Sequence, residues 1–179
     1  MFIKVIAFDC FGTVFDASEL PSELITKYVE HVIANPTAAK QYEFGQAWFD
    51  LPAHKDSAAG IQKLRDGGYT CVALSNGTPE LIKHLSDRAG IVWDVIVDLP
   101  KHGVYKPYSD AYKVVEKETG VKPQNTLMVT ANPGFGDVEG AQSIGMNTQV
   151  IRANGAGNLL DLAFVMTRNL RVKRKFSYG

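Results

Sequence analysis

Four short segments hold side chains that together could carry out a nucleophilic displacement: Asp9-Cys10-Phe11-Gly12-Thr13, Ser75-Asn76-Gly77-Thr78, Tyr105-Lys106-Pro107, and Thr130-Ala131-Asn132 followed by Asp137. A carboxylate nucleophile divides a difficult displacement into two easier steps. A lysine beside it keeps it ionised and neutralises the anionic charge that accumulates. Each segment alone has a plainer account. Asp9 could be a turn former or N-cap, Thr78 an N-cap before Pro79, Lys106 an exposed lysine before a proline, and Asp137 an N-cap. Their weight comes from position. All four stand at the carboxyl ends of successive strand-like runs, where a parallel sheet opens its ligand crevice.

Those runs lie at 3–8, 70–74, 92–97, 126–130 and 147–151, and they alternate with helical patterns near 57–66, 79–89, 108–119, 136–144 and 158–170. Repeated β-α units predict an α/β fold, a parallel sheet covered on both faces. Helix punctuation agrees: Asp66-Gly67-Gly68 ends one helix, Thr78-Pro79 starts the next, and Gly120 closes the helix that begins near Tyr108. Residues 15–56 break the alternation. They predict two helices, 22–34 and 37–48, separated by Asn35-Pro36, as a small helical cap insert after the first strand. The expected organisation is a core of residues 1–14 and 57–170, the insert 15–56, and a basic tail 171–179. The insert is placed to lid the crevice. Its aromatics Tyr28, Tyr42, Phe44, Trp48 and Phe49 are expected to pack it onto the core, and Asp16, Glu19 and Glu23 to be solvated acids at a helix start.

Composition excludes several function classes. The 19 basic and 19 acidic residues cancel, which gives no general affinity for polyanions. Five of the bases, Arg168, Arg171, Lys173, Arg174 and Lys175, crowd the last twelve residues, leaving residues 1–167 at a net charge of −5. No aromatic stacking pattern accompanies that run, so a solvated tail is expected and nucleic acid is not. Cys10 and Cys71 fall in strand patterns as small buried hydrophobes, make no disulfide framework, and fit a reducing cytoplasm. No leader pattern opens the chain, and no apolar run reaches the ~18 residues of a membrane span. A monomer or homodimer with a small anionic substrate is expected.

The order nucleophile-Thr, Ser-Asn, Lys, Asp in this β-α context resembles the haloacid dehalogenase superfamily, from Phe2 to about Arg152. The resemblance implies a three-layer Rossmann-like core in which Asp9 attacks the substrate and forms a covalent aspartyl intermediate. Thr13 and Ser75 would hold the reacting group, Lys106 would stabilise the negative charge near Asp9, and Asp137 would be the acid of the last motif. Phe11 distinguishes the branches. Phosphatases of the superfamily usually have there a second aspartate that protonates the leaving alkoxide, whereas halide leaves without a proton. The segment from Asp9 to Thr13 is therefore similar to the 2-haloacid dehalogenase branch. So are Ser75-Asn76-Gly77, Tyr105-Lys106-Pro107 through Tyr112, and Thr130-Ala131-Asn132 with Asp137.

That branch implies substrate contacts from Phe11, Asn76, Tyr112, Thr130 and Asn132, a water positioned by Asn132 and Asp137, and no cofactor. Two departures stand out. Residues 14–64 contain no arginine to receive the halide, leaving Lys27, Lys40 and Lys55 as the insert's cations, and the interval from Asn132 to Asp137 is long for the branch. A Mg²⁺-dependent phosphatase, with the ion held by Asp9, the Phe11 carbonyl and Asp137, is the alternative enzyme. A catalytically degenerate binding protein is the alternative from another class.

Overall fold

The central strand forms from an alternating pattern in which Ile6 and Phe8 point to one face and Val5 and Ala7 to the other, all four fully buried. The computed structural model describes residues 2–176, with side chains described through residue 168. Strand β1 (Val5–Phe8) pairs in parallel with β2 (Thr70–Ala73) on one side and β4 (Thr126–Thr130) on the other. The sheet is completed by β3 (Val95–Ile96) and β5 (Asn147–Val150), in the order β3-β2-β1-β4-β5. Strand order reverses beside β1, the place where parallel sheets open a crevice.

Helices α3 (Ser57–Asp66), α4 (Pro79–Ala89) and α7 (Leu159–Phe176) cover the face of Ile6 and Phe8 with Ile61, Leu64, Leu81, Ile82, Leu85 and Leu159. Helices α5 (Ser109–Thr119) and α6 (Asp137–Gln142) cover the other face with Ala111, Val114, Val115 and Ala141. Each fully buried Leu or Ile contributes about 1.5–3 kcal/mol, so the two faces together hold the three layers in place. The expected α/β class and three-layer architecture are what the chain forms.

Three elements differ from expectation. Residues 92–97 were read as a strand, but only Val95 and Ile96 pair. Trp93 turns away to donate to Ser86 Oγ at 2.8 Å, and the Asp94 carboxylate accepts the Cys71 N–H at 2.8 Å in place of a backbone carbonyl. Helix α1 (Ser22–Ala34) forms as expected, but the second insert helix shrinks from 37–48 to α2 (Gln46–Phe49). Ala38 takes φ 53°, the Lys40 carbonyl bonds His31 Nε2 at 2.7 Å, and the Tyr42 N–H donates to the Tyr105 hydroxyl at 3.3 Å, so side chains claim the backbone groups a helix would need. Helix α7 runs six residues past its expected end, into the basic segment expected as a solvated tail; residues 177–179 lie outside the described residues.

The two ends of residues 15–56 run side by side. Phe15 and Ala53 form an antiparallel bridge, Asp16 N–H donates to Pro52 O at 2.7 Å, and Ser57 Oγ donates to Val14 O at 2.8 Å. Among the described residues no helix is long and apolar enough to cross a membrane.

Candidate active site

Beyond Phe8 the chain turns sharply, because one carbonyl, Cys10 O, accepts the N–H groups of Thr13, Val14 and Phe15 at 2.9–3.2 Å. The turn swings Thr13 back so that its hydroxyl donates to Asp9 Oδ2 at 2.7 Å while accepting the Ala131 N–H at 2.8 Å. Glycine is required at position 12 twice over: its φ is +80°, and a Cβ there would lie inside the Asn132 amide. Gly12→Ala is expected to cost about 1–2 kcal/mol for the left-handed backbone alone and to push Asn132 away from Asp9. Gly45→Ala, whose Cβ meets nothing within 4 Å, is expected to be nearly neutral. Thermal unfolding of the two variants checks this.

Three strands deliver charged groups to one point. Lys106 Nζ lies 3.0 Å from Asp9 Oδ1 and 3.2 Å and 3.3 Å from the two oxygens of Asp137, with side-chain exposures of 8%, 13% and 5% for Lys106, Asp9 and Asp137. The short exposures matter because an ion pair this dry is stable only when every lone pair is met. Tyr112 Oη donates to Asp137 Oδ1 at 2.6 Å, Thr130 Oγ1 donates to Asp9 Oδ2 at 3.3 Å, and Asn132 Nδ2 reaches the same oxygen at 3.4 Å. Asn76 fixes the lysine's backbone, accepting the Lys106 N–H at 2.8 Å and donating to the Lys106 carbonyl at 2.9 Å.

Burial alone would push the Lys106 ammonium down, but the Asp137 and Asp9 carboxylates outweigh it and hold it well above the ordinary lysine range. Burial pushes Asp137 up, with Lys106 opposing and Asp9 reinforcing the shift. Burial also raises the Cys10 thiol far above the range in which a thiolate forms, and the Cys71 thiol to about 12. Neither is a nucleophile.

A cavity of about 590 Å³ opens over this cluster. Asp9, Phe11, Ser75, Asn76, Lys106, Asn132 and Asp137 all line it. Thr13, Thr130 and Tyr112 do not: all three are buried, Thr13 and Thr130 against Asp9 and Tyr112 behind Asp137. Thr13 was expected to hold the reacting group and Thr130 and Tyr112 to contact substrate; their hydroxyls are instead occupied in positioning the two carboxylates. Asn76, also expected at the substrate, spends both ends of its amide on the Lys106 backbone. Despite the long interval from Asn132, Asp137 reaches Lys106, because the turn Pro133–Phe135 takes up the extra residues before α6.

The insert supplies further cavity residues that spacing did not reveal. Tyr28 and Trp48 were assigned to packing; they pack against each other at 5.6 Å and also face the cavity. Phe11 joins them, stacked edge-on against Trp48 at 4.9 Å. His54 lines the cavity with Nε2 3.1 Å from the Gly12 carbonyl. Asp16 is not at a helix start: it lies six residues before α1, lines the cavity, and accepts the Ser18 N–H at 2.9 Å. Hydrogen bonds from Ser18 hold its carboxyl below the usual range. Lys27, Lys40 and Lys55 are exposed and none reaches the cavity, so no insert lysine stands in for the missing arginine.

The three groups expected to bind Mg²⁺ on the phosphatase reading do not fit the ion. The Phe11 carbonyl accepts an N–H from Asn132 at 3.0 Å, and Lys106 Nζ occupies the space between Asp9 and Asp137. Two hard oxygen donors bridged by an ammonium leave the cation's place and charge already supplied. Among the described residues, no three His, Cys, Asp or Glu side chains group as metal ligands.

This fold and cluster define a class. The haloacid dehalogenase-like hydrolase family matches residues 28–145, well over half of the chain, and the protein belongs to that family. Among individual relatives, it is 33% identical over 107 residues to an (S)-2-haloacid dehalogenase of Xanthobacter autotrophicus and 31% identical over 114 residues to one of Burkholderia cepacia. These matches take in 59% and 63% of this chain but 41% and 48% of the relatives, so the chain matches somewhat under half their length. A crystal structure of an L-2-haloacid dehalogenase superposes with a TM-score of 0.76 at 22% identity, covering 92% of this chain and 99% of that one. The Xanthobacter autotrophicus enzyme with chloropropionic acid covalently bound superposes with a TM-score of 0.70 at 22% identity, covering 94% and 88%. At that identity the superpositions establish the fold.

Proposed function

We propose that the protein hydrolyses the carbon–halogen bond of a 2-haloacid through an ester on Asp9, without a metal ion. The observation that carries this reading is the Asp9–Lys106–Asp137 cluster beside Phe11: a charge-compensated carboxylate whose neighbour two residues on cannot protonate a leaving group. The relatives named as (S)-2-haloacid dehalogenases, and the covalent chloropropionic acid adduct of one of them, support it. Residues 15–56 act as the cap over a core of 1–14 and 57–170.

Asp9 Oδ2 is engaged by Thr13, Thr130 and Asn132, whereas among the described residues Oδ1 meets Lys106 alone. Oδ1 is therefore the freer oxygen for attack on C2, and the halide departs with the bonding electrons and no proton. Oδ2 becomes the ester carbonyl, with three donors ready for the oxyanion that forms when water adds to Cγ. Asp137 takes a proton from that water, Lys106 gives one to the departing 2-hydroxy oxygen, and Asp137 restores it to Lys106. The carboxylic acid left on Asp9 then ionises to solvent. A single displacement at C2 inverts its configuration, so an (S)-2-haloacid yields an (R)-2-hydroxy acid.

Burial makes Asp137 a stronger base than an ordinary carboxylate, which suits it to the hydrolytic step. Since it must be ionised to act, the acid limb of the rate profile is expected above the ordinary aspartate value of about 4. Halide release from (S)-2-chloropropanoate, unchanged by EDTA and falling along such a limb, is the expected result. Turnover of p-nitrophenyl phosphate that EDTA abolishes, with no halide released, would establish the phosphatase instead. Inertness toward both substrate classes would establish the binding protein.

A further inference from the structure

The cavity has the charged groups Asp9, Lys106 and Asp137 at its floor and an apolar wall along α1, with Asp16, Ser18, His54 and Asn154 also on its lining. Ile25, Tyr28, Val29 and Val32 recur along α1 at the spacing of a single helix face, and all four line the cavity. An apolar helix stripe ordinarily packs against protein; part of this one looks into open space. Ile33 and Phe135 extend the wall to the mouth, and they are 65% and 60% exposed. An apolar wall beside a polar reaction centre in a concave site is where the apolar part of a ligand binds.

Size points the same way. At the ~30 Å³ that a water takes in the liquid, 590 Å³ is room for roughly twenty waters. A short haloacid with its reacting carbon at Asp9 would leave most of that volume filled with water against aliphatic walls. We infer that the preferred substrate is a 2-haloacid carrying a medium-length alkyl tail on C2, of the octanoate to decanoate class, with its carboxylate and halogen at the floor and its tail along α1. The inference rests on the hydrolase reading above and goes beyond it by assigning the tail.

Two measurements test it separately from that reading. In the first, 2-hydroxyalkanoates from propanoate to decanoate, the non-halogenated products, are titrated into the protein by calorimetry. Burial of each methylene is expected to tighten Kd about three- to fourfold until the wall ends. A Kd that stays flat with chain length overturns the inference. In the second, bromide release from the matching 2-bromoalkanoates is expected to show kcat/KM rising in parallel. Release that is equal for all lengths overturns the inference and leaves the hydrolase reading standing. No release from any, with the binding gradient intact, overturns the hydrolase reading and keeps the tail site.

Val29→Phe, which fills the wall, is expected to reduce the octanoate-to-propanoate affinity ratio at least tenfold. Val165→Ser removes an exposed apolar side chain on α7 that does not line the cavity and is expected to leave the ratio unchanged. A loss of the gradient in Val165→Ser, or its persistence in Val29→Phe with folding intact by circular dichroism, marks adsorption to the surface and overturns the site.

Discussion

Asp9→Asn is expected to reduce halide release on the order of 10⁴-fold or more, the scale seen when a nucleophile acting in a concerted unit is removed. The amide keeps the shape of the carboxylate, and Lys106 retains Asp137 as a partner, so the fold is expected to persist. What disappears is the carboxylate oxygen held by Lys106 that is proposed to form the ester. A second measurement separates this role from simple charge placement. In a single turnover in H₂¹⁸O, water adds to Cγ, so the heavy oxygen is expected in the peptide containing Asp9 and not in the first 2-hydroxy acid released. Label found only in the product would mean that water attacks C2 directly and would remove Asp9 as the nucleophile.

The largest effect on stability is expected from Lys106→Met. It leaves two carboxylates, 13% and 5% exposed, facing each other without a cation, and breaking a buried pair in this way costs about 3–5 kcal/mol. The pH dependence identifies the cause. With the lysine gone, the burial and the Asp9 charge that push Asp137 up lose their main opponent, so its protonation favours the folded form. That contribution is fully present below the unfolded value near ~4 and is lost as pH rises through the raised value. The deficit against wild type is therefore expected to be smallest near pH 4 and largest near pH 8 in urea unfolding. In the wild type the raised lysine acts with the same sign in a higher window, its stability present below 10.5 and lost as pH rises past its folded value. A deficit that does not change between acid and neutral pH would rule out this electrostatic account.

Much of this arrangement was legible in the sequence because it depends on local grammar. The N-cap of α4 is one case: Thr78 Oγ1 accepts the Leu81 N–H at 3.2 Å with Pro79 in the first turn, as the dipeptide predicted. Gly120 ends α5 at φ 71° for the same reason. The strand ends that bring Asp9, Ser75 and Lys106 together follow from the β-α alternation, which fixes the crevice before any contact is known. What stayed hidden was tertiary. The stretch 37–45 forms no helix because His31 and Tyr105 take backbone groups that a helix would need and the aromatic cluster of Tyr28, Tyr42, Phe44 and Trp48 packs there, contacts no local pattern shows.

His54 and Asp16 reach the cavity because the two ends of the insert are paired, a relation between residues nearly forty positions apart that no window of sequence contains. Thr13, Thr130 and Tyr112 were found as residue types but given the wrong neighbours. A hydroxyl looks the same in sequence whether it faces a ligand or the back of a carboxylate, and burial alone decides.

The clamp of Asn76 on both backbone groups of Lys106 bears on how the site spends conformational freedom. Lysine is among the side chains with most rotamer entropy to lose, and holding one still at the moment of reaction would ordinarily raise the barrier. Here the loop from β2 holds the lysine's main chain and two carboxylates hold its ammonium, so its ordering is complete once the chain has folded. On the function proposed above, an incoming acid meets a charge that has no searching left to do, and the protein carries that entropic burden permanently in its folding equilibrium instead of once in every catalytic cycle.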